Sequence, residues 1–188
     1  MRAPCLALTL ALSMAAGPAH AQVIRGSRDK IAVTYDRQRN QRIVLFDRLQ
    51  FGREVTVGYG MRAREIGLLA AYRTTVTDTS APDSVELRIV MMKMLLGTGK
   101  QPWEFTSDRQ LRLFVDDTVP VAVDVSNYDM TGTGPNALEN LSYRVPRATF
   151  EQLVGAQNVV VRVGSQSFTM GPPEIAELRR LARWLPQS

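Results

Sequence analysis

Short runs of β-branched and aromatic residues fill positions 31–125, and they constrain the fold of this chain more than any other feature. Polar or glycine-containing breaks separate the runs, a spacing typical of all-β domains. The predicted strands are 31–35, 42–51, 54–62, 68–77, 84–95, 111–115, 119–125, 141–145, 159–163 and 166–170. Asp116 and Asp117 lie between two of these runs and are predicted to form a hairpin tip.

Two helices are predicted after residue 146. The first covers residues 147–154, with Pro146 before it and Gly155 after it. The second follows Gly171 and Pro172, and its apolar side chains recur at helical spacing. That stripe consists of Ile175, Leu178, Leu181, Ala182 and Leu185. The fold class that follows is mainly β: an antiparallel β-sandwich or partly open barrel, with one short helix and a C-terminal amphipathic helix packed on the sheet.

Residues 129–140 interrupt the strand pattern. Their central stretch, residues 131–136, reads Thr-Gly-Thr-Gly-Pro-Asn, which is typical of an irregular loop. Calcium binds oxygen ligands of the kind that Asp124, Asn127 and Asp129 carry, although the spacing differs from that of an EF-hand. We therefore predict a long surface loop and leave open whether it binds calcium.

Residues 1–21 have the pattern of a secretory signal peptide. A positive charge at Arg2 precedes an apolar run, and Ala19-His20-Ala21 has the small-x-small form that signal peptidase cuts. Cleavage after Ala21 would leave residues 22–188 as a single β-rich domain. Because no stretch of about 20 apolar residues follows, we predict a protein of the periplasm or the extracellular space, with no transmembrane segment in the mature chain.

Cleavage at this position would also remove Cys5 and His20, the only cysteine and the only histidine of the chain. A chain without these residue types cannot form disulfides, thiol nucleophiles, catalytic triads with an imidazole base, or zinc sites built from cysteine and histidine. We accordingly assign no catalytic residue, no metal and no cofactor. An enzyme therefore remains the less favoured class.

Positive charge is concentrated in the first third of the mature chain. Residues 22–64 carry ten basic and four acidic side chains, whereas residues 65–188 carry twelve basic and fourteen acidic ones. Such polarity favours an anionic or acidic partner. The candidate binding residues are Arg37, Arg39, Arg42, Arg48, Arg53, Arg62 and Arg64. No nucleic-acid recognition motif is present, so nucleic acid is not a predicted partner.

The function that follows is a non-catalytic, exported binding module of the cell envelope. Its partner would be an envelope protein, a glycan or an anionic lipid surface. A carboxylate-dependent hydrolase of envelope polysaccharide is an alternative, since two suitably separated carboxylates suffice for glycoside cleavage. Its candidate residues are Asp116, Asp117, Asp124, Asp129 and Glu139. A further alternative is a Cu(I)-binding protein, because the thioethers of Met92 and Met94 are soft ligands on one predicted strand face.

Overall fold

The structure is a computed structural model that describes residues 24–25, 31–56, 62–75, 77, 80–95, 105, 107–132 and 136–186. The predicted signal peptide, residues 1–21, lies outside this part of the chain. For several residues within strands only the backbone is described. Among the predicted site residues these are Arg48, Arg53, Arg62, Arg64 and Met94.

Strands dominate the described residues, which confirms the mainly β class. In chain order the elements are β1 Ile24–Arg25, β2 Ile31–Asp36, β3 Gln41–Thr56, β4 Arg62–Thr75, β5 Ser84–Leu95, β6 Leu111–Val115, β7 Val121–Val123, β8 Val125–Thr131, β9 Asn136–Pro146, α1 Arg147–Gly155, β10 Val159–Val163, β11 Gln166–Met170 and α2 Pro172–Ala182. The bounds of β5, β6, β10 and β11 coincide with the predicted ones. This agreement reflects the strict alternation of buried and less buried side chains along those strands.

The strands form two antiparallel sheets. The larger sheet has the order β1-β2-β3-β4-β5-β9-β8, and the smaller has the order β11-β10-β6-β7. Within the described residues neither order returns to its first strand, so neither sheet closes on itself. The chain leaves the larger sheet after β5, builds β6 and β7 of the smaller one, and crosses back at Asp124 to form β8.

The larger sheet has two unlike faces, because successive side chains of a strand point to opposite sides. One face, here called the inner face, is defined by the fully buried residues Val44, Leu68, Leu87 and Tyr143. The opposite, outer face carries Leu45, Glu86 and Arg144, none of which is buried. Side chains of β6, β10, α1 and α2 belong to the same buried core as the inner face.

The two helices follow the predicted pattern. Helix α2 buries Ile175, Leu178 and Leu181 and contacts β3, β11 and α1. Its first turn is fixed by Glu174, whose Oε2 accepts the Gly171 N–H at 2.9 Å. Near the end of α2, Arg179 donates from Nη2 to the Ala156 carbonyl at 2.9 Å, immediately after α1. This bond joins the last turn of α2 to the residue that follows α1.

One predicted strand break is wrong. The sequence indicates a turn near Gly52 and Arg53, yet β3 runs through both residues and pairs with β4 over its whole length. The pairing shifts register between Gln50 and Gly52, which is a β-bulge. A glycine within a strand often marks such a bulge. Gly52 therefore indicates an irregularity inside β3 and not the end of the strand.

The predicted surface loop at residues 129–140 is also wrong in most of its length. Residues 125–131 and 136–146 pair as β8 and β9, whereas residues 133–135 lie outside the described part. Glu139 hides the alternation of polar and apolar residues along β9, because this charged residue occupies an inner-face position. Its side chain is only 1% exposed. A carboxylate at a core position is tolerated because it has buried partners, which lie far away in the sequence.

The tip between β6 and β7 confirms the predicted role of Asp116 and Asp117. Both residues adopt left-handed backbone angles, with φ of 45° and 61°. The Asp116 carboxylate also accepts the N–H groups of Gln157 and Asn158, at 3.0 and 2.9 Å. This side chain therefore joins the tip to the loop between α1 and β10.

Replacing Asp116 by alanine is expected to lower the free energy of unfolding by about 2 kcal/mol, because two main-chain donors lose a charged acceptor. Urea denaturation followed by circular dichroism measures the change. Asp117→Ala is the matched control, since it shares the left-handed backbone but not the two bonds. Equal losses in both variants would show that backbone conformation alone matters at this tip.

Candidate functional site

The seven candidate arginines are spread along the β2–β3–β4 region. Arg37 and Arg39 are exposed in the turn between β2 and β3, and Arg42 follows at the start of β3. Arg53 lies eleven residues further along β3, about 35 Å away at the rise of an extended strand. The register places the backbone of Arg64 beside Glu54, next to Arg53. Arg62 starts β4, at the same end of the strand pair as Arg53 and Arg64, whereas Arg48 lies near the middle of β3. Arg37, Arg39 and Arg42 form one local group at the other end.

The five candidate carboxylates lie in different surroundings. Asp116 and Asp117 form the β6–β7 tip, and Asp124 accepts a bond of 3.0 Å from the Gln110 side chain. Asp129 is exposed on β8 and pairs with Asn140, whereas Glu139 is buried on β9 and pairs with Met130. Adjacent pairs of an antiparallel ladder face opposite sides. Asp129 and Glu139 therefore point to different faces of the sheet.

Glu139 is the centre of a buried polar cluster on the inner face. Its Oε1 accepts the Tyr128 hydroxyl at 2.9 Å and the Phe105 N–H at 3.1 Å. Its Oε2 lies 3.9 Å from the Lys93 ammonium, on a side chain that is 14% exposed. Burial raises the pKa of the Tyr128 hydroxyl, and the bond to Glu139 raises it further. Tyr128 is therefore a neutral hydrogen-bond donor at pH 7.

A second layer of contacts surrounds this cluster. The Arg109 guanidinium lies 3.8 Å from the centre of the Tyr128 ring, and its Nε donates to the Phe105 carbonyl at 2.6 Å. The Tyr143 hydroxyl donates to the Arg109 carbonyl at 2.9 Å, and burial raises the pKa of this tyrosine. Together these contacts attach Phe105 and Arg109 to the larger sheet. The role of these contacts is therefore structural.

The methionines of β5 are divided between the two faces. Met91 is fully buried on the inner face, whereas Met92 is 39% exposed on the outer face. The side chain of Met94 lies outside the described part of the chain. Among the described residues, no group of three or more aspartate, glutamate, histidine or cysteine side chains could hold a metal ion.

A cleft of about 420 Å³ opens on the outer face, where β4 and β9 end and β5 begins. We call it the outer cleft; its lining includes Arg73, Thr75, Ser80, Asp83, Glu86 and Arg144. The volume lies within the range of small-molecule sites. Hydroxyl, carboxylate and guanidinium groups converge in it, so a ligand would meet both donors and acceptors.

Three arginines surround one glutamate at this cleft. Glu86 accepts from Arg88 at 2.8 Å and lies 3.5 Å from Arg73. Burial raises the pKa of Glu86, but the bonds and charges of Arg88 and Arg73 outweigh that effect and bring it below its usual range. Glu86 is thus ionised at neutral pH. Three arginines, Arg73, Arg88 and Arg144, lie near the two carboxylates of the cleft, Glu86 and Asp83.

Arg144 supplies the remaining positive charge. The register places it directly across from Glu86 on the neighbouring strand. Its side chain is exposed, and no hydrogen bond or ion pair joins it to another residue within the described ranges. A guanidinium in this position is available to an anionic group of a ligand.

Sequence reasoning missed the arginines in and beside the outer cleft because it located the positive charge in residues 22–64. Arg73, Arg88 and Arg144 belong to the remainder, whose net charge is negative. Alternation in β5 does predict that Glu86 and Arg88 share a face. What joins Arg144 to them is the pairing of β5 with β9, a contact between residues 58 positions apart.

In the described part of the chain, we find no helix with the length and apolar character needed to cross a membrane. No protein-family model, no curated protein and no solved structure matches this chain.

Proposed function

We propose that this protein is a non-catalytic, exported module that binds an acidic glycan of the cell envelope in the outer cleft. The exported location, in the periplasm or outside the cell, rests on the signal-peptide pattern of residues 1–21. The binding function rests on the cleft itself. The observation that carries it is Arg144, an exposed guanidinium without a described partner in a polar cleft.

The mixture of groups in the outer cleft favours a sugar acid. Guanidinium groups bind carboxylates through two parallel hydrogen bonds, and Arg144 can supply such a pair. Thr75 and Asp83 supply a hydroxyl and a carboxylate of the kind that bind sugar hydroxyls. A concave site also suits a glycan chain better than a flat lipid surface or a broad protein interface.

Three of the five candidate carboxylates have structural partners, which favours binding over hydrolysis. Asp116 holds two main-chain amides, Asp124 holds an amide side chain, and Glu139 is buried between tyrosine, lysine and a main-chain amide. Each of these groups has a structural partner. In the outer cleft, the two carboxylates are Asp83 in the turn and Glu86, which is held between two arginines.

We infer that the two sheets face each other as in a β-sandwich, which leaves the outer face of the larger sheet for ligands. The rings of Phe51 on β3 and Phe168 on β11 support this arrangement, since they stack with centroids 5.2 Å apart. Residues of both sheets also share one buried core. The smaller sheet and the helices would then cover the inner face only.

Replacing Arg144 by glutamine is expected to weaken binding of polygalacturonate about tenfold, because one charge-assisted contact is lost. Glu86→Gln is expected to strengthen binding, since it releases Arg73 and Arg88 from their counterion. Titration calorimetry of the mature domain with polygalacturonate measures both changes, with neutral dextran as the ligand control.

Arg162→Gln is the matched protein control. Arg162 is an exposed arginine on β10 of the smaller sheet, so its loss changes the net charge equally but leaves the outer cleft intact. Equal weakening by both arginine variants would show that only net charge matters. Capture by phosphatidylglycerol vesicles without binding to polygalacturonate would favour a lipid surface and overturn the glycan.

A further inference from the structure

The outer cleft presents an exposed acidic side chain as well as an exposed basic one. Asp83 and Arg144 both line it, and both residues are exposed. We propose that the preferred ligand of the cleft is a sugar that carries a carboxylate together with a protonated amine, with the carboxylate at Arg144 and the amine at Asp83. This inference rests on the proposed function, whose ligand it narrows from any acidic glycan to a zwitterionic one.

The other carboxylate of the cleft is already matched by basic groups of the protein. Glu86 accepts from Arg88 at 2.8 Å and lies 3.5 Å from Arg73. An ammonium group of a ligand would have to displace these guanidinium groups in order to reach Glu86. Asp83 belongs to neither of these ion pairs, and it is exposed. Asp83 is therefore the carboxylate that a ligand amine can approach without breaking an ion pair of the protein.

Charge balance explains why an amine would improve the ligand. A carboxylate bound at Arg144 alone brings a negative charge toward Asp83 and Glu86, and like charges repel more strongly where water is partly excluded. A protonated amine on the same sugar offsets this repulsion, because it forms a charge-assisted hydrogen bond with Asp83. A zwitterionic sugar thus pairs with both exposed charges of the cleft, whereas a purely acidic sugar pairs with one.

Main-chain contacts fix the two exposed charges relative to each other. Glu86, which pairs with Arg144, lies three residues after Asp83, so Asp83 and Arg144 are about 10 Å apart along the direction of β5. The Asp83 carbonyl accepts the Arg147 N–H at 2.9 Å, which holds the turn against the start of α1. A site whose groups are already in place loses less conformational freedom when a ligand binds.

Small side chains make room in the cleft for a sugar ring. Ala71 and Ser84 line it beside the longer side chains of Arg73 and Glu86. Ala71 pairs directly with Glu86, and Ser84 lies two residues before Glu86, so all three share the outer face. The cleft of about 420 Å³ can therefore hold a compact ligand that reaches both charges.

The test compares muramic acid with N-acetylmuramic acid by titration calorimetry of the mature protein at about pH 6. The two sugars share the ring and the carboxylate, but only muramic acid has a free amine, which is protonated at this pH. We expect muramic acid to bind about tenfold more tightly, because only its amine can pair with Asp83.

Two variants locate the effect. Asp83→Asn is expected to reduce the preference for muramic acid to within about twofold, since an amide has no charge to pair with the amine. Asp117→Asn is the matched control, because it removes an exposed carboxylate at the β6–β7 tip, and the preference should persist in it. Should Asp83→Asn fail to fold, the two titrations of the wild type decide alone.

The outcomes separate this inference from the proposed function. Equal binding of the two sugars to the wild type, or a preference that survives in Asp83→Asn, overturns the role of the amine. Glucosamine lacks the carboxylate and free alanine lacks the ring, so binding of either one as tight as that of muramic acid overturns the zwitterionic sugar. If polygalacturonate binds through Arg144 while the two muramic acids bind equally, only the amine is overturned. Absence of binding by all three would overturn the proposed function as well.

Discussion

Replacing Glu139 by alanine is expected to lower the free energy of unfolding by about 3–5 kcal/mol, one of the two largest effects that we predict. Glu139 is 1% exposed, and its Oε1 accepts hydrogen bonds from both the Phe105 N–H and the Tyr128 hydroxyl. The alanine variant removes this shared acceptor. It also leaves the Lys93 charge, on a side chain that is only 14% exposed, without its neighbouring carboxylate. Urea denaturation monitored by circular dichroism measures the loss.

Two further variants separate the causes. Glu139→Gln keeps an acceptor oxygen and removes the charge, so we expect a smaller loss than for alanine. Glu151→Ala removes a 54% exposed carboxylate that is also paired with a basic residue, and it should cost about 1 kcal/mol or less. If Glu139→Ala unfolds at the same urea concentration as the wild type, the buried cluster does not stabilise the fold.

Replacing Phe150 by alanine is expected to be equally damaging, at about 3–5 kcal/mol. The ring is fully buried in α1, a helix that contacts β5, β9 and α2. Truncation leaves a cavity where these elements meet, and close-packed neighbours can fill it only in part. Thermal unfolding followed by circular dichroism measures the shift of the midpoint.

Gln152→Ala is the control for this helix. Its side chain is exposed two residues further along α1, and alanine there should change the free energy of unfolding by no more than about 0.5 kcal/mol. Similar losses in both variants would contradict a dominant role for packing of the Phe150 ring, because alanine favours the helix at both positions.

Elements with an unbroken local pattern were predictable. The bounds of β5 and β6 follow from alternation, and the start of α2 follows from Gly171 and Pro172, because these signals act within a few residues. Residues 129–140 were not predictable in the same way. Glu139 reads as a surface residue until Phe105 and Lys93 are brought to it, from 34 and 46 positions away.

The candidate sites, too, could be predicted only in part from local sequence. Composition indicated a positively charged surface, and Arg42 belongs to the residues named for it. Its exposure and surroundings, however, depend on the pairing of β3 with β2 and β4, which composition does not reveal. The outer cleft depends on strand registers, which set Arg144 beside Glu86 and Glu86 beside β4. Registers are properties of the assembled sheet, so no local stretch of sequence contains them.

The order of strands has a consequence for how the chain can be divided. The segment that forms β6 and β7 is inserted between strands of the larger sheet, and β10 and β11 complete the smaller sheet only after the larger one has ended. Neither sheet is therefore a continuous piece of polypeptide. A cut at any point between β6 and β9 would leave both sheets incomplete in either fragment. We therefore expect the two sheets to unfold together, as one cooperative unit.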